Sequence, residues 1–221
     1  MYIDDLIKGA DLLGFVLSEK QIAQFKLYLE DLRRWNKTYS LTTISDPSAV
    51  VHKHFLDSLN YAAALISEGE VLDLGTGPGF PGLPLAIVCP QSKFVLVDGR
   101  RKKTLFLDFM LQKLGLTNVE IIHLHLSPGN AREVFKQQFT AIVTRAVTVL
   151  REVVPVADCL LADQGVLVFS DAHPDKRAIT AELEKWPDLN LERLEKTILP
   201  GRAADIFLGT IRKTQSTFFK T

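Results

Sequence analysis

The chain has 221 residues, 47% of them hydrophobic, with 26 basic and 26 acidic side chains and a formal net charge of zero. This length favours one substantial core with an appendage and leaves little room for two full domains. The balanced charge excludes a global attraction to nucleic acid, so any RNA contact must come from local patches. Without a membrane-length apolar run or a basic-then-apolar leader at Met1, we expect a cytoplasmic protein with no membrane partner.

The first 67 residues are predicted to form a helical N-terminal extension. Ser18 followed by Gln21 is a capping-box signal, and apolar residues then recur at helical spacing for about five turns. The opposite face of this helix is basic, and both an ordinary solvated surface and an RNA contact remain open for it. A second helix is predicted to begin at Asp46-Pro47 and to run to about Ile66.

From residue 68 to residue 221, strand and helix patterns alternate and then end in two extended segments. The predicted strands are Val71–Leu74, Phe94–Val97, Val119–Leu124, Ala141–Thr144 and Val166–Phe169. Strands separated by helices predict a parallel sheet with right-handed crossovers. The last two segments, Leu191–Leu199 and Ile206–Lys213, are joined by Pro200-Gly201 and are predicted to pair antiparallel at the sheet edge. The expected fold class is therefore α/β and Rossmann-like, with one compact unit after the helical extension.

One glycine-rich stretch follows the first predicted strand. Residues 71–82 read Val-Leu-Asp-Leu-Gly-Thr-Gly-Pro-Gly-Phe-Pro-Gly. Gly75, Gly77 and Gly79 allow a sharp bend and a close approach of the backbone to a ligand. The spacing is G-x-G-x-G and departs from the dinucleotide fingerprint, because position 80 is Phe80. Such glycines can also serve only to pack a helix on a strand, and that interpretation stays open.

Acidic residues lie at the ends of the first two predicted strands. Asp98 follows the glycine stretch by roughly twenty residues, the place where an acid binds the ribose hydroxyls of an adenosine cofactor. Because Arg100 and Arg101 come next, an NAD(P)-dependent oxidoreductase remains an alternative. Asp73 is expected either to meet the ammonium group of a cofactor or to cap N–H groups of the turn.

The two cysteines, Cys89 and Cys159, lie far apart in apolar surroundings. The chain has no C-x-x-C pair and no histidine cluster at ligand spacing. We therefore expect reduced cysteines and no metal site, and we expect a monomer.

Five stretches in order along the chain share a further pattern. They are Arg-Trp-Asn-Lys-Thr-Tyr-Ser-Leu-Thr at 34–42, Asp46-Pro47, His-Phe-Leu-Asp-Ser at 54–58, Gly-Thr-Gly-Pro-Gly-Phe-Pro-Gly at 75–82, and Thr144-Arg145-Ala146. Together they resemble the bacterial small-subunit ribosomal RNA guanine-N7 methyltransferases, the GidB or RsmG family of class I S-adenosylmethionine-dependent enzymes.

The resemblance implies S-adenosylmethionine as cofactor and methyl transfer to N7 of a 530-loop guanine in 16S rRNA. The partner would be 16S rRNA or a small-subunit assembly intermediate. The resemblance places the cofactor against Gly75 and Phe80, near Leu126 and Ser127, and beside Arg145. Because guanine N7 offers a lone pair without losing a proton, no catalytic acid or base is expected, and Arg145 is the first candidate for positioning the base.

Two stretches depart from the family pattern. Ser127 stands where an acid is usual, and Phe169-Ser170-Asp171 stands where a lysine-glycine pair is usual. A relative that binds RNA but has weakened catalysis therefore remains an alternative.

Several basic residues are candidate RNA phosphate contacts. They are Arg33, Arg34, Lys37, His52, Lys53, His54, Arg100, Arg101, Lys102 and Lys103. His54 and Asp57 lie about one helical turn apart and are candidates to roof the cleft. A target guanine must leave its stack, so partly folded ribosomal RNA is favoured over a free nucleotide.

Overall fold

The computed structural model describes residues 2–65, 69–145, 150–197 and 205–214. Within these residues, N-terminal helices precede an α/β region with seven strands. The strands are β1 (Glu70–Leu74), β2 (Lys93–Asp98), β3 (Val119–His123), β4 (Phe139–Arg145), β5 (Leu161–Asp171), β6 (Leu189–Thr197) and β7 (Ile206–Lys213). The helices between them are α5 (Gly82–Val88), α6 (Arg101–Leu114), α7 (Ala131–Val134), α8 (Leu150–Leu160) and α9 (Lys176–Leu183).

The strands form one sheet in the order β3-β2-β1-β4-β5-β7-β6. β1 to β5 pair in parallel, and β7 runs antiparallel to both of its neighbours. The expected mostly parallel sheet with an antiparallel edge pair is thus confirmed, whereas the Pro200-Gly201 connection lies outside the described residues. Since β1 lies between β2 and β4, strand order reverses there, and the carboxyl ends of β1 and β4 mark the switch point where ligands bind in such sheets.

The first predicted helix is α2 (Glu19–Tyr39), which follows a shorter helix, α1 (Tyr2–Leu12). Its capping box is confirmed, because Gln21 N donates to Ser18 Oγ and Ser18 N donates to Gln21 Oε1 at 2.9 Å. With 21 residues, α2 makes about six turns, one more than expected.

The second predicted helix starts where expected, because Asp46 Oδ1 accepts a hydrogen bond from Ala49 N. It is not a uniform α-helix. It consists of α3 (Pro47–Val50), a π-helical turn (Val51–Leu56), α4 (Asp57–Leu59) and a 3₁₀ turn (Asn60–Ala64). The wider π-helical turn buries His54 and Phe55 together with Leu56.

One hydrophobic core joins the N-terminal helices to the sheet. Its buried side chains include Leu6 of α1, Phe25 of α2, Phe55, Leu83 of α5 and Phe106 of α6. A second cluster contains side chains of α8 and α9. The helical extension is therefore packed into the same core as α5 and α6. Among the described residues, none of the helices is long and apolar enough to cross a membrane.

Candidate functional site

The glycine turn after β1 uses backbone conformations that favour glycine. The φ angles are +73° at Gly75, +64° at Gly77 and +111° at Gly79. A Cβ on Gly75 would have no neighbour within 4 Å, whereas a Cβ on Gly79 would lie 2.6 Å from Tyr28 Oη. The side of Gly75 where a Cβ would stand is therefore open to solvent. Gly79 is buried, and its lack of a Cβ allows close packing against Tyr28. Its contact with a cofactor stays a prediction.

Asp98, at the end of β2, fastens the glycine turn. Its Oδ2 accepts a 2.9 Å hydrogen bond from Gly77 N, and its Oδ1 accepts a 2.8 Å bond from Arg100 N. Lys103 Nζ lies 3.7 Å from Asp98 Oδ2. Desolvation lowers the pKa of Lys103, and Asp98 opposes that shift. Lys103 was expected to contact phosphate, but in this structure it is the partly buried counter-ion of Asp98.

Asp73, in β1, is fully buried below the turn. Its Oδ2 accepts hydrogen bonds from Thr76 Oγ1 at 2.6 Å and from Gly82 N at 2.7 Å. Its Oδ1 is also buried and has no hydrogen-bond partner within the described part of the chain. Burial raises the pKa of Asp73 to about 7, against the hydrogen bonds from Thr76 and Gly82. Of the two roles considered for Asp73, this geometry shows capping of the turn.

The Phe80 ring joins the turn to the N-terminal helices. Its centroid lies 4.4 Å from the His54 ring and 5.4 Å from the Tyr28 ring, with both pairs stacked. Tyr28 Oη also donates a 2.6 Å hydrogen bond to Pro78 O. Tyr28 was not predicted from the sequence as part of the site. Its role in holding the turn depends on a residue 50 positions away and has no local signal.

Arg145 stands at the end of β4, beside Phe80. Its Nη1 donates a 3.0 Å hydrogen bond to Lys53 O and lies 3.8 Å from Asp57 Oδ2, and its Cζ lies 5.1 Å from the Phe80 ring centroid. The side chain is 20% exposed. Arg145 therefore connects the sheet to the second helical segment and still reaches the cleft.

His54 does not have the role expected of it. The residue is 3% exposed, and its Nε2 lies 3.0 Å from Thr42 Oγ1. Since a phosphate contact needs an accessible side chain, His54 is not such a contact in this structure. Asp57 is also buried, so neither residue roofs the cleft directly.

An open cleft of about 370 Å³ lies between the glycine turn and the segment from Ser40 to Thr43. Gly75, Gly77, Phe80 and Arg145 line it, as do Arg100 and Lys103. The 40–43 segment was not predicted as part of the site, although it carries the end of the Arg34–Thr42 pattern. The Arg34–Thr42 pattern was therefore the sequence signal that could have identified the 40–43 segment as part of the site.

Five expected cofactor contacts do not line this cleft, namely Asp73, Gly79, Asp98, Leu126 and Ser127. Leu126 is buried, and Ser127 N donates a 2.8 Å hydrogen bond to Asn130 Oδ1.

Ser170 belongs to the second stretch that departs from the family pattern. It is buried, and it is the register partner of Arg145 in the β4–β5 pairing.

The adjoining ends of α2 and α6 carry most of the predicted RNA contacts. Lys102 Nζ donates a 2.7 Å hydrogen bond to Tyr39 O and so joins the two helix ends. The exposed basic residues there are Arg33, Arg34, Lys37, Arg100, Arg101 and Lys102. Arg34 pairs with Asp31 at 2.6 Å.

The other two candidates lie on the second helical segment. Lys53 is exposed, whereas the His52 side chain is only 14% exposed and its Nε2 lies 3.8 Å from Asp5 Oδ2 of α1. His52 thus faces α1 more than solvent. No group of three or more His, Cys, Asp or Glu side chains is placed to hold a metal ion in the described ranges.

Two solved structures share the architecture. An S-adenosylmethionine-dependent methyltransferase from Aquifex aeolicus superposes with a TM-score of 0.59 at 16% identity, covering 79% of this chain and 97% of that one. Pyrococcus horikoshii TYW2, solved in complex with MeSAdo, gives 0.57 at 14% identity, covering 74% and 63%. At these identities the similarity shows the fold alone, a class I methyltransferase fold.

Sequence comparison is more specific. Residues 21–198 match the GidB family model, rRNA small subunit methyltransferase G. The ribosomal RNA small subunit methyltransferase G of Ectopseudomonas mendocina is 34% identical over 216 residues, which cover 96% of this chain and 97% of that protein. The Pseudomonas aeruginosa protein of the same name is 33% identical over 217 residues, with 96% of each chain covered. The chain therefore belongs to the GidB family, the rRNA small subunit methyltransferase G proteins, and is an rRNA methyltransferase.

Proposed function

We propose that this protein transfers the methyl group of S-adenosylmethionine to N7 of a guanine in 16S rRNA, the 530-loop guanine that the family resemblance implies. The observation that carries the proposal is the cleft at the switch point of the sheet. There the glycine turn, which Asp98 holds through Gly77 N, and Arg145 meet the 40–43 segment. The chain belongs to this methyltransferase family.

The residues of the cleft fit a nucleoside cofactor. Gly75 presents an open face that a side chain would fill, so a ligand can approach the backbone there. Each Asp98 oxygen accepts one backbone N–H, and an ionised carboxylate offers about four acceptor sites. Acceptor capacity thus remains for the two ribose hydroxyls. When bound, the cofactor supplies an electrophilic methyl group on a sulfonium.

The chemistry requires positioning more than proton transfer. The N7 lone pair lies in the plane of the guanine ring, so the acceptor atom loses no proton before attack. What the chain must supply is a fixed geometry, because holding two reactants in line can account for much of a rate enhancement. Arg145 suits this role, since Lys53, Asp57 and Phe80 hold its guanidinium while part of it borders the cleft. A guanidinium has five N–H donors, so donors remain for a ligand.

The test is methyl transfer to small-subunit particles from cells that lack this gene. Purified protein and S-adenosylmethionine with a labelled methyl group are incubated with these particles, and the RNA is digested to nucleosides. We expect the label in 7-methylguanosine, at a guanine located by cleavage at the modified base. Label in another nucleoside would refute the N7 assignment, and no transfer over a range of salt and magnesium concentrations would support the weakened relative.

A further inference from the structure

Tyr39 is an exposed aromatic residue beside the cleft. It is the last residue of α2, it is 45% exposed, and its ring centroid lies 5.2 Å from that of Trp35. Lys102 Nζ donates to its carbonyl oxygen. The next residue, Ser40, has a left-handed conformation and lines the cleft. The Tyr39 ring is therefore held in place at the edge of the site while much of its surface stays in contact with water.

A single exposed aromatic residue needs no explanation by itself, but the charges around this one are uneven. The two chain segments that meet here, 33–40 and 99–104, contain seven lysine and arginine residues and no acidic residue. Two of these cations have acidic partners, since Arg34 pairs with Asp31 and Lys103 with Asp98. The remainder give this edge of a neutral protein a local positive charge.

An aromatic ring among cations is the combination that proteins use for unpaired RNA. Bases that have left the helix stack on aromatic side chains, and lysine or arginine contacts the neighbouring phosphates. A protein partner with an acidic surface would match the charges but would give no reason for an exposed, fixed ring. The RNA interpretation accounts for both features.

We propose that Tyr39 stacks on an unpaired base of the RNA that flanks the target guanine, while Lys37 and Lys102 contact the adjacent phosphates. This inference rests on the proposed function, because it takes an RNA substrate in the cleft as given. It adds a nucleotide-binding position outside the cleft. Lys102 is then also a positioning residue, because its bond to Tyr39 O fixes the end of α2 under the ring.

The experiment uses the full chain and a 530-loop RNA hairpin with 2-aminopurine in place of a base that flanks the target. Stacking quenches 2-aminopurine fluorescence, and titration at several salt concentrations gives the dissociation constant and its salt dependence. Tyr39→Phe keeps the ring, Tyr39→Leu keeps an apolar contact for Trp35 without a ring, and Tyr2→Ala removes an exposed aromatic residue of α1 as a control. Lys37→Gln removes one cation.

We expect Tyr39→Leu to weaken binding roughly 5- to 150-fold and to abolish quenching, with an unchanged salt dependence. Tyr39→Phe and Tyr2→Ala should behave as the wild type. Lys37→Gln should lower the slope of log K against log salt by about 0.7, the value for one phosphate contact on a single strand.

Unchanged quenching in Tyr39→Leu, or an equal loss in Tyr2→Ala, would overturn the inference. Equal losses in Tyr39→Phe and Tyr39→Leu would also overturn it, because the hydroxyl and not the ring would then matter. Methyl transfer by the wild type is measured in parallel. If the wild type methylates RNA and Tyr39→Leu binds normally, only the stacking inference fails; if the wild type transfers no methyl group, the proposed function itself fails.

Discussion

Gly77 N donates a 2.9 Å hydrogen bond to Asp98 Oδ2, and this bond ties the turn after β1 to the end of β2. The bond joins two segments that are 21 residues apart in the sequence. Asp98 holds the turn, and Lys103 balances its charge from 3.7 Å.

Alanine at Gly77 and at Gly79 should affect stability unequally. Both positions have positive φ, so each variant carries backbone strain of about 1–2 kcal/mol. At Gly77 the nearest neighbour of the new Cβ is the flexible end of Lys103, at 3.4 Å, whereas at Gly79 it is Tyr28 Oη, at 2.6 Å. We expect Gly79→Ala to lose about 1–3 kcal/mol more than Gly77→Ala, from overpacking. Urea unfolding measures the difference, and equal losses would contradict the packing role of Gly79.

Asp73 should make stability depend on pH. Its folded pKa of about 7 lies above the ordinary value of 3.8, so the folded state holds the proton more tightly than the unfolded chain does. The stabilisation is fully present below about pH 4 and is lost as the pH rises through about 7. Asp73→Asn cannot titrate, so the wild type should lose stability relative to this variant between pH 5 and pH 8. Urea unfolding at both pH values measures this, and a constant difference would show that Asp73 does not titrate in this range.

Arg145→Ala should reduce both stability and methyl transfer. The variant loses the hydrogen bond to Lys53 O, the cation 3.8 Å from the buried Asp57, and the contact with the Phe80 ring. We expect a loss of about 1–3 kcal/mol in the free energy of unfolding. Arg145→Lys keeps the charge without the planar guanidinium and should lie between Ala and wild type. Single-turnover rates are measured below the unfolding temperature of each variant. Rates equal to wild type in both would show that Arg145 does not position the reactants.

We expect the basic residues towards the C-terminal end of α2 to contact RNA phosphates, and we expect no such contact from the first turn of the helix. Arg33→Gln combined with Lys37→Gln removes two exposed cations in the last two turns of α2. On single-stranded RNA the slope of log K against log salt should then fall by about 1.4. Lys20, also exposed, lies about 20 Å from Arg33 and about 25 Å from Lys37 along the helix and provides the control. A Lys20→Gln variant with the same loss would mean that the effect comes from net charge and not from this location.

The sequence was informative wherever a local pattern determines the structure. The capping box at Ser18 depends on residues three apart, and the glycine turn and Asp98 follow from the alternation of strands and helices. In this fold class, ligands bind at the carboxyl ends of the strands, so the place of the site can be predicted from the sequence once the strands are assigned.

The remaining features depend on contacts between distant residues. The same glycine spacing serves a ligand or a neighbouring side chain, and the spacing does not reveal that Gly79 packs against Tyr28. The burial of His54 arises in a π-helical turn, and an apolar pattern of ordinary helical spacing does not distinguish that turn from an α-helix. Helix α7, with four residues, is too short to show a period.

The most direct test of the account is the affinity of S-adenosylmethionine for wild type and for Gly77→Ala, measured by calorimetry on proteins shown to be folded. The added methyl group lies 3.4 Å from Lys103 Nζ and 4.0 Å from Gly75 O, on the turn that Asp98 holds through Gly77 N. We expect saturable binding at one site per chain in the wild type and a loss of at least tenfold in the variant, about 1.4 kcal/mol. Equal affinities in the two proteins, or no binding by the folded wild type, would contradict the assignment of this turn as the cofactor site.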